Sequence, residues 1–331
     1  MKLHDARRGG RHANGVILST LLTSRLRSRY ANRVTDDRFY PQINFASLDA
    51  PDSSFERSRV VVLPVPYDST VTARAGTRDG PRAIIEASAD MELYDVGLGI
   101  EPWRHGIHTL PEVAPHTGSP EAMTDRIEAI VGELLDQHKF VVTLGGEHTV
   151  AVGAVRAYAK RTPGMSVLAF DAHSDLRDEY LDSRYNHACT LRRASEAAPV
   201  TQVGLRSASI EDAALIRDQG LAFFSPRELR TAGADAVIDR LSDDVYITID
   251  LDNFDPSEMS AVGTPEPGGL HWDEVSDLLV ALTQRKRVVG YDVTELSPSL
   301  GPRSCAQLAA KLTYRLIGLA LQHEPASAGG K

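Results

Sequence analysis

A chain of 331 residues has room for one large α/β domain or two smaller ones. Its 42% hydrophobic and 24% charged content is ordinary for a soluble globular protein, and a net charge of −9 argues against a nucleic-acid or anionic-membrane partner. No apolar run approaches the roughly 18 residues that a membrane-spanning helix needs. Two cysteines, Cys189 and Cys305, make no disulfide framework, so a reducing, cytoplasmic setting is expected.

Residues 1–33 hold eight Lys or Arg against one Asp, a balance of +7 that leaves −16 on the rest. Residues 1–57 read as a basic, partly irregular N-terminal arm, either disordered or an oligomer contact, with turn-forming residues at 49–54. An Arg-rich, acid-poor start also has the composition of a transit peptide. A β-branched strand over 58–68 begins the folded part, and a helix over 79–94 opens with Pro81, whose missing N–H costs nothing in a first turn. A short strand follows at 106–110. Across 121–138, Met123, Ile127, Ile130, Val131, Leu134 and Leu135 share one helical face. Next come a strand at 139–144, a helix over 150–161 with Thr149 as its cap, and strands at 165–170 and 200–205. A helix begins at Ser209, with Asp212 three residues on in a capping-box pattern. The chain continues as strand 221–224, helix 226–241, strand 244–250, helix 272–284, strand 287–293 and a last helix within 303–322. About eight short apolar strands alternating with helices predict a mostly parallel sheet with helices on both faces. One domain over 58–322 is the economical organisation, with 323–331 as a disordered tail.

In open parallel sheets, ligands bind beyond the carboxyl ends of the strands. After 139–144 comes His148; after 165–170 come Asp171, His173 and Asp175; after 245–249 come Asp250 and Asp252; after 287–293 comes Glu295. Alternate residues of an extended segment share a face, which would gather four aspartates and two histidines. A single D-x-H or D-x-D is common in surface loops, and it is their recurrence at successive strand ends that points to a site. Clustered carboxylates repel and push each other's pKa up, and burying each is costly. Metal ions remove both problems. Six oxygen and imidazole donors, with no thiolate, suit two ions, favour Mn²⁺ and disfavour structural zinc. Two dications, four aspartates and one bridging hydroxide leave about −1, a setting for a cation rather than a phosphate. The remaining histidines read as surface or packing residues.

The segments "GGEHTV", "DAHSDLRDEY", "TIDLDNFDP", "GTPEPGGL" and "DVTELSP" resemble, in order and spacing, the signatures of the ureohydrolase family of agmatinases, arginases and relatives. The resemblance runs from about residue 58 to 322. It implies a three-layer arginase/deacetylase-like α/β fold with an eight-stranded sheet, two Mn²⁺ ions per subunit, and hydrolysis of a guanidino group to urea and an amine. Carried over residue by residue, His148 ligates one ion and His173 the other. Asp171 and Asp250 bridge, Asp175 completes the first shell and Asp252 the second. A metal-bridging hydroxide attacks the guanidinium carbon, with Asp175 placed to orient it, Glu295 pairing with the guanidinium N–H groups, and His187 as proton shuttle. Asn186, beside His187, is read as a substrate contact.

The loop "LRDEYLDSRYNHAC" lacks the Asn/Ser pattern with which arginases read an amino-acid head group and looks more like the agmatinase version. Asp178, Glu179 and Asp182 also suit a substrate whose far end is an amine. Agmatine, cleaved to putrescine and urea, is therefore the expected substrate. Arginine, guanidinobutyrate, guanidinopropionate and formimidoylglutamate remain alternatives. A zinc-dependent deacetylase-like enzyme would use one His, two Asp and a tyrosine, against which the second histidine and the paired aspartates argue. An inactive homologue should show broken ligands, and none is broken. A homo-oligomer, trimer or hexamer, acting on a small cationic guanidino substrate without nucleic-acid or membrane partners completes the expectation.

Overall fold

The computed structural model describes residues 43–323. The basic arm up to residue 42, with its alternative readings, and the tail from residue 324 lie outside the described residues. Residues 43–57 ahead of the first strand pack inward, burying Phe45 and Phe55.

The apolar runs form β1 (Val60–Val65), β2 (Ile107–Thr109), β3 (Phe140–Gly145), β4 (Ser166–Phe170), β5 (Val200–Val203), β6 (Ala222–Phe224), β7 (Asp244–Asp250) and β8 (Arg287–Thr294). They make one sheet in the order β2-β1-β3-β8-β7-β4-β5-β6, with every pairing parallel. β1, β3 and β4 bury every residue, as strands covered on both faces must. Continuous Val, Ile and Leu runs are the sequence form of that burial.

The four central strands β3, β8, β7 and β4 come from distant parts of the chain. Their register pairs Leu144 with Val293, Val293 with Ile249, and Ile249 with Phe170. Their carboxyl ends are therefore level, and whatever follows each of them reaches one rim. Among the described residues, no helix is long and apolar enough to cross a membrane.

Helices α1 (Gly80–Ser88), α2 (Pro120–Leu135), α3 (Val150–Arg161), α4 (Thr190–Ser195), α5 (Ile210–Gln219), α6 (Pro226–Ala232), α7 (Ala234–Ile238), α8 (Trp272–Arg285) and α9 (Arg303–Leu321) fill the connections. Several differ from expectation for identifiable reasons. The helix read over 79–94 stops at Ser88, and beyond it buried Asp95 receives Arg315 of α9 at 2.7 Å, so tertiary contact holds that stretch as a loop. The helix read over 226–241 breaks at Gly233, whose φ of 79° and ψ of 170° no helical residue adopts and glycine takes freely. Thr149 does not cap α3: its own backbone is helical, and its hydroxyl donates to the Tyr185 carbonyl instead. Ser209 does cap α5, accepting from the Asp212 amide at 3.1 Å, but the Asp212 carboxylate turns away to accept from the Ser174 hydroxyl at 2.8 Å. Half of the capping box is thus exchanged for a tie to the loop after β4.

On β8, Gly290 makes room for Tyr158 of α3. A Cβ at that position would stand 2.1 Å from the Tyr158 hydroxyl oxygen, and the Tyr158 ring is already packed 4.9 Å from that of Tyr246. Gly290→Ala is expected to cost about 1–3 kcal/mol by overpacking, read as a lower urea midpoint at unchanged slope. A midpoint equal to wild type would show that the ring moves aside freely.

Candidate metal centre and its cavity

The turn after β3 carries His148 to the rim. Gly146 is required there, because a Cβ would fall 2.1 Å from the Tyr67 carbonyl oxygen. The Gly146 amide donates to Val65, and the Gly146 carbonyl accepts the amide of Glu295 at 2.8 Å, which ties this turn to the end of β8. After β4 the chain is not extended as far as expected: Asp175 has a φ of 48°. After β7, Leu251–Asn253 form a 3-10 turn that Asp250 caps by accepting from the Asp252 amide at 2.9 Å. Strict alternation therefore does not orient these side chains. The turns do, and the residues still converge.

Two groups result. Ligand atoms of His148, Asp171 and Asp175 lie within 4.8 Å of one another, and so do those of Asp171, His173 and Asp252. His148 Nδ1 stands 3.1 Å from Asp171 Oδ2, 3.1 Å from Asp175 Oδ2 and 3.5 Å from Asp250 Oδ2. His173 Nδ1 is 2.9 Å from Asp252 Oδ2 and 3.8 Å from Asp171 Oδ1. Asp171 belongs to both groups, the position expected of a bridge. All six residues lie at one rim, but Asp250, the second expected bridge, belongs to neither group and stands beside His148.

The electrostatics fit a cation. One imidazole nitrogen can donate to one carboxylate, yet three carboxylate oxygens converge on His148 Nδ1. Asp171 Oδ2 is buried with no hydrogen-bond partner of proper geometry. Burial, then Asp252 and Asp171, push Asp250 well above the ordinary carboxylate range, and burial, then Asp175, push Asp171 up. Burial opposes ionisation of Asp252, but His173 beside it holds its pKa low. Burial lowers the two histidines, and their carboxylate neighbours more than offset it: His148 ends well above its ordinary value, and His173 is pushed up to about 10. Alone, the cluster is neutralised only by holding protons. Cations do the same with the carboxylates ionised. Oxygen and imidazole donors, without thiolate, are a set for such an ion.

Above these groups opens a cavity of about 290 Å³, lined by His148, His173, Asp175, Asp250, Asp252, Glu295 and His187 among others. Glu295 has a φ of 69°, a strained conformation for a residue with a side chain, and its Oε1 accepts from the His148 amide at 2.7 Å. His187 Nδ1 is 3.9 Å from that same oxygen, and Nε2 contacts the Thr72 hydroxyl at 3.0 Å. Burial lowers the His187 pKa, and Glu295 raises it further to a net increase.

Other expected residues lie elsewhere. Asn186 does not line the cavity; its side chain accepts from the Ala188 amide and donates to the Thr70 carbonyl, capping the short turn that carries His187. Asp178 is drawn to Arg193, Arg184 and Arg192, and neither it nor Glu179 nor Asp182 lines the cavity. The cavity carboxylate outside the metal groups and Glu295 is Asp212, at the start of α5, with Arg177 also on the wall.

Sequence reasoning missed Asp212, read only as a capping residue, and Thr72, to which it gave no role. It also missed Thr248 and Asp292, buried beneath His148. A carboxylate in the middle of an apolar strand was the available signal for Asp292.

Comparisons with known proteins show the family. A family model described as the Arginase family matches residues 58–318. The chain is similar to an N(1)-aminopropylagmatine ureohydrolase of Thermus thermophilus, 40% identical over 83% of this chain and 94% of that protein. It is also similar to an agmatinase of Pyrococcus horikoshii, 32% identical over 82% and 95%. Among solved structures it resembles the agmatine ureohydrolase of Thermoplasma volcanium, with a TM-score of 0.76 and 32% identity over 91% of this chain and 98% of that one.

The cluster makes stability depend on pH in a direction set by its charges. His173 folds with a pKa of about 10, above the 6.5 it has unfolded, so its contribution is complete below 6.5 and is lost as pH rises toward 10. Raised carboxylate pKa values at Asp171 and Asp250 act in the same direction, since the folded state holds protons that the unfolded state releases. The metal-stripped chain should therefore melt at a lower temperature at pH 9 than at pH 6.5, and added Mn²⁺ should raise the melting temperature more at pH 9. Asp250→Ala should abolish the Mn²⁺ effect. Equal Mn²⁺ stabilisation of wild type and Asp250→Ala would remove Asp250 from the site.

Proposed function

The chain belongs to the arginase family and hydrolyses a C–N bond of a guanidino group; from that premise we propose that it is a two-manganese enzyme releasing urea from agmatine or an agmatine derivative. The observation that carries this reading is the sharing of Asp171 by two metal-capable groups at the floor of a cavity that also holds Glu295 and His187.

The residues that would hold the ions are His148, Asp171, Asp175 and Asp250 for one, and Asp171, His173, Asp250 and Asp252 for the other. Such a pair supplies a water whose pKa is lowered toward neutrality. The overall change is R–NH–C(NH₂)₂⁺ + H₂O giving R–NH₃⁺ and urea. The water oxygen becomes the urea carbonyl, the C–N bond to the chain breaks, and the protons of water end on the leaving nitrogen. Asp175 stands beside His148 to orient the water. Glu295, fixed by the His148 amide, pairs with guanidinium N–H groups and holds the carbon in line. His187, held between Thr72 and Glu295, has its pKa lowered by burial and raised to a net increase by that carboxylate, and is placed to pass a proton to the leaving amine.

Agmatine and its aminopropyl derivative are favoured over arginine on two grounds. Asp212 puts a carboxylate on the cavity wall, which suits an ammonium tail. Relatives of 32% and 40% identity carry the corresponding names. A second reading, a guanidino acid, rests on Arg177 of the same wall.

Urea release with added Mn²⁺ separates them. Agmatine or N(1)-aminopropylagmatine is expected to exceed arginine, guanidinobutyrate and guanidinopropionate by about tenfold or more in kcat/KM. A guanidino acid as the fastest substrate would transfer the assignment to the second reading, and no urea from any would refute both. His187→Ala should keep its metal while kcat falls by about 10² or more. An unchanged kcat and pH–rate profile would take the proton-transfer role from His187.

A further inference from the structure

Beneath His148 a row of buried polar groups runs inward from the rim. Tyr246, Thr248 and Asp250 alternate along β7, and the parallel register sets Thr248 opposite Asp292 of β8. The Tyr246 hydroxyl donates to Asp292 Oδ2 at 2.7 Å, and the Thr248 hydroxyl donates to Asp292 Oδ1 at 2.7 Å. His148 Nε2 lies 2.9 Å from the Thr248 oxygen. Tyr246, Thr248 and Asp292 are fully buried and His148 is 1% exposed, so solvent does not compete for these bonds.

From the direction of these bonds we propose that Thr248, polarised by Asp292, is a positioning residue that sets the tautomer of His148 and leaves Nδ1 as the atom able to take a metal. The inference rests on the two-metal reading above. A carboxylate only accepts, and a threonine hydroxyl has a single hydrogen. With that hydrogen held by Asp292, the Thr248 oxygen is left as an acceptor, and the proton shared with His148 must be on Nε2. In the neutral ring the lone pair is then on Nδ1, aimed where oxygens of Asp171, Asp175 and Asp250 gather. A lone pair facing three carboxylate oxygens is repulsive without a cation among them and ligating with one. Were the threonine hydroxyl absent, Nε2 would lose its acceptor. The proton would favour Nδ1, where Asp175 stands 3.1 Å away, and would occupy the position of the metal. Hydrogen-bonded partners on the far nitrogen commonly tune metal-ligating histidines in this way. Here the carboxylate acts through an intervening hydroxyl.

The test is Mn²⁺ binding to the metal-stripped full-length chain, followed by the electron paramagnetic resonance of free Mn²⁺. Wild type is expected to take two ions. Thr248→Val should weaken one of them by about tenfold or more and leave the other close to wild type. Thr248→Ser, which keeps the hydroxyl, should bind both within roughly threefold of wild type. Asp292→Asn, whose amide can turn the threonine hydroxyl toward His148, should weaken the same ion as Thr248→Val. Circular dichroism shows whether each variant is folded, and Thr248→Ala replaces the valine variant if that one is not. A folded Thr248→Val with wild-type affinity for both ions overturns the inference, as does a Thr248→Ser that falls as far as Thr248→Val. An unaffected Asp292→Asn overturns the part given to Asp292. A wild-type chain that binds no divalent ion sinks the proposed function along with this inference.

Discussion

Four aspartates within reach of one another at the rim of a sheet are the constraint on which the rest of this structure depends. Like charges so close do not coexist buried and ionised. The chain alone answers with protons: carboxylate pKa values at Asp171 and Asp250 rise, and those of His148 and His173 rise with them. Dications answer the same repulsion with the carboxylates ionised. A cluster this unfavourable without a ligand is an expense in stability that selection for folding would not keep, which is why it reads as a site.

The parallel sheet makes the convergence possible. Four neighbouring strands end at one level, so four loops open onto one spot. The turns at Gly146, Asp175, Leu251–Asn253 and Glu295 then aim the side chains. Glu295 and Asp175 both hold left-handed backbone that residues with side chains adopt reluctantly, and each is secured by its surroundings. The Glu295 amide is bonded to Gly146 and the Asp175 carbonyl to Arg192. Support also comes from below, where the Tyr246–Asp292–Thr248 row meets the back of the His148 ring.

Much of the fold was legible because local patterns carried it. Most strands were marked by a short apolar run, and α2 by its one-sided face. Errors fell where a distant contact overrode the local signal. Asp95 meeting Arg315 ends the α1 region early, Tyr185 draws the Thr149 hydroxyl off the cap, and Ser174 takes the Asp212 carboxylate. Arginines claim Asp178, which on composition alone looked available to a substrate. Asn186 was read from its position beside His187, and its amide is engaged by the Ala188 amide and the Thr70 carbonyl.

The sequence by itself determined the strand and helix alternation, the residue types at the strand ends and hence a donor set able to hold metal, because burial, periodicity and charge repulsion act on neighbours along the chain. Only the tertiary structure decided that β3, β8, β7 and β4 lie side by side, that Asp171 joins two groups, that Asp212 rather than Asp178 faces the cavity, and that Asp292 reaches His148 through Thr248. Those facts depend on strand order and register, which arise from packing between segments far apart in the chain. No local pattern encodes them.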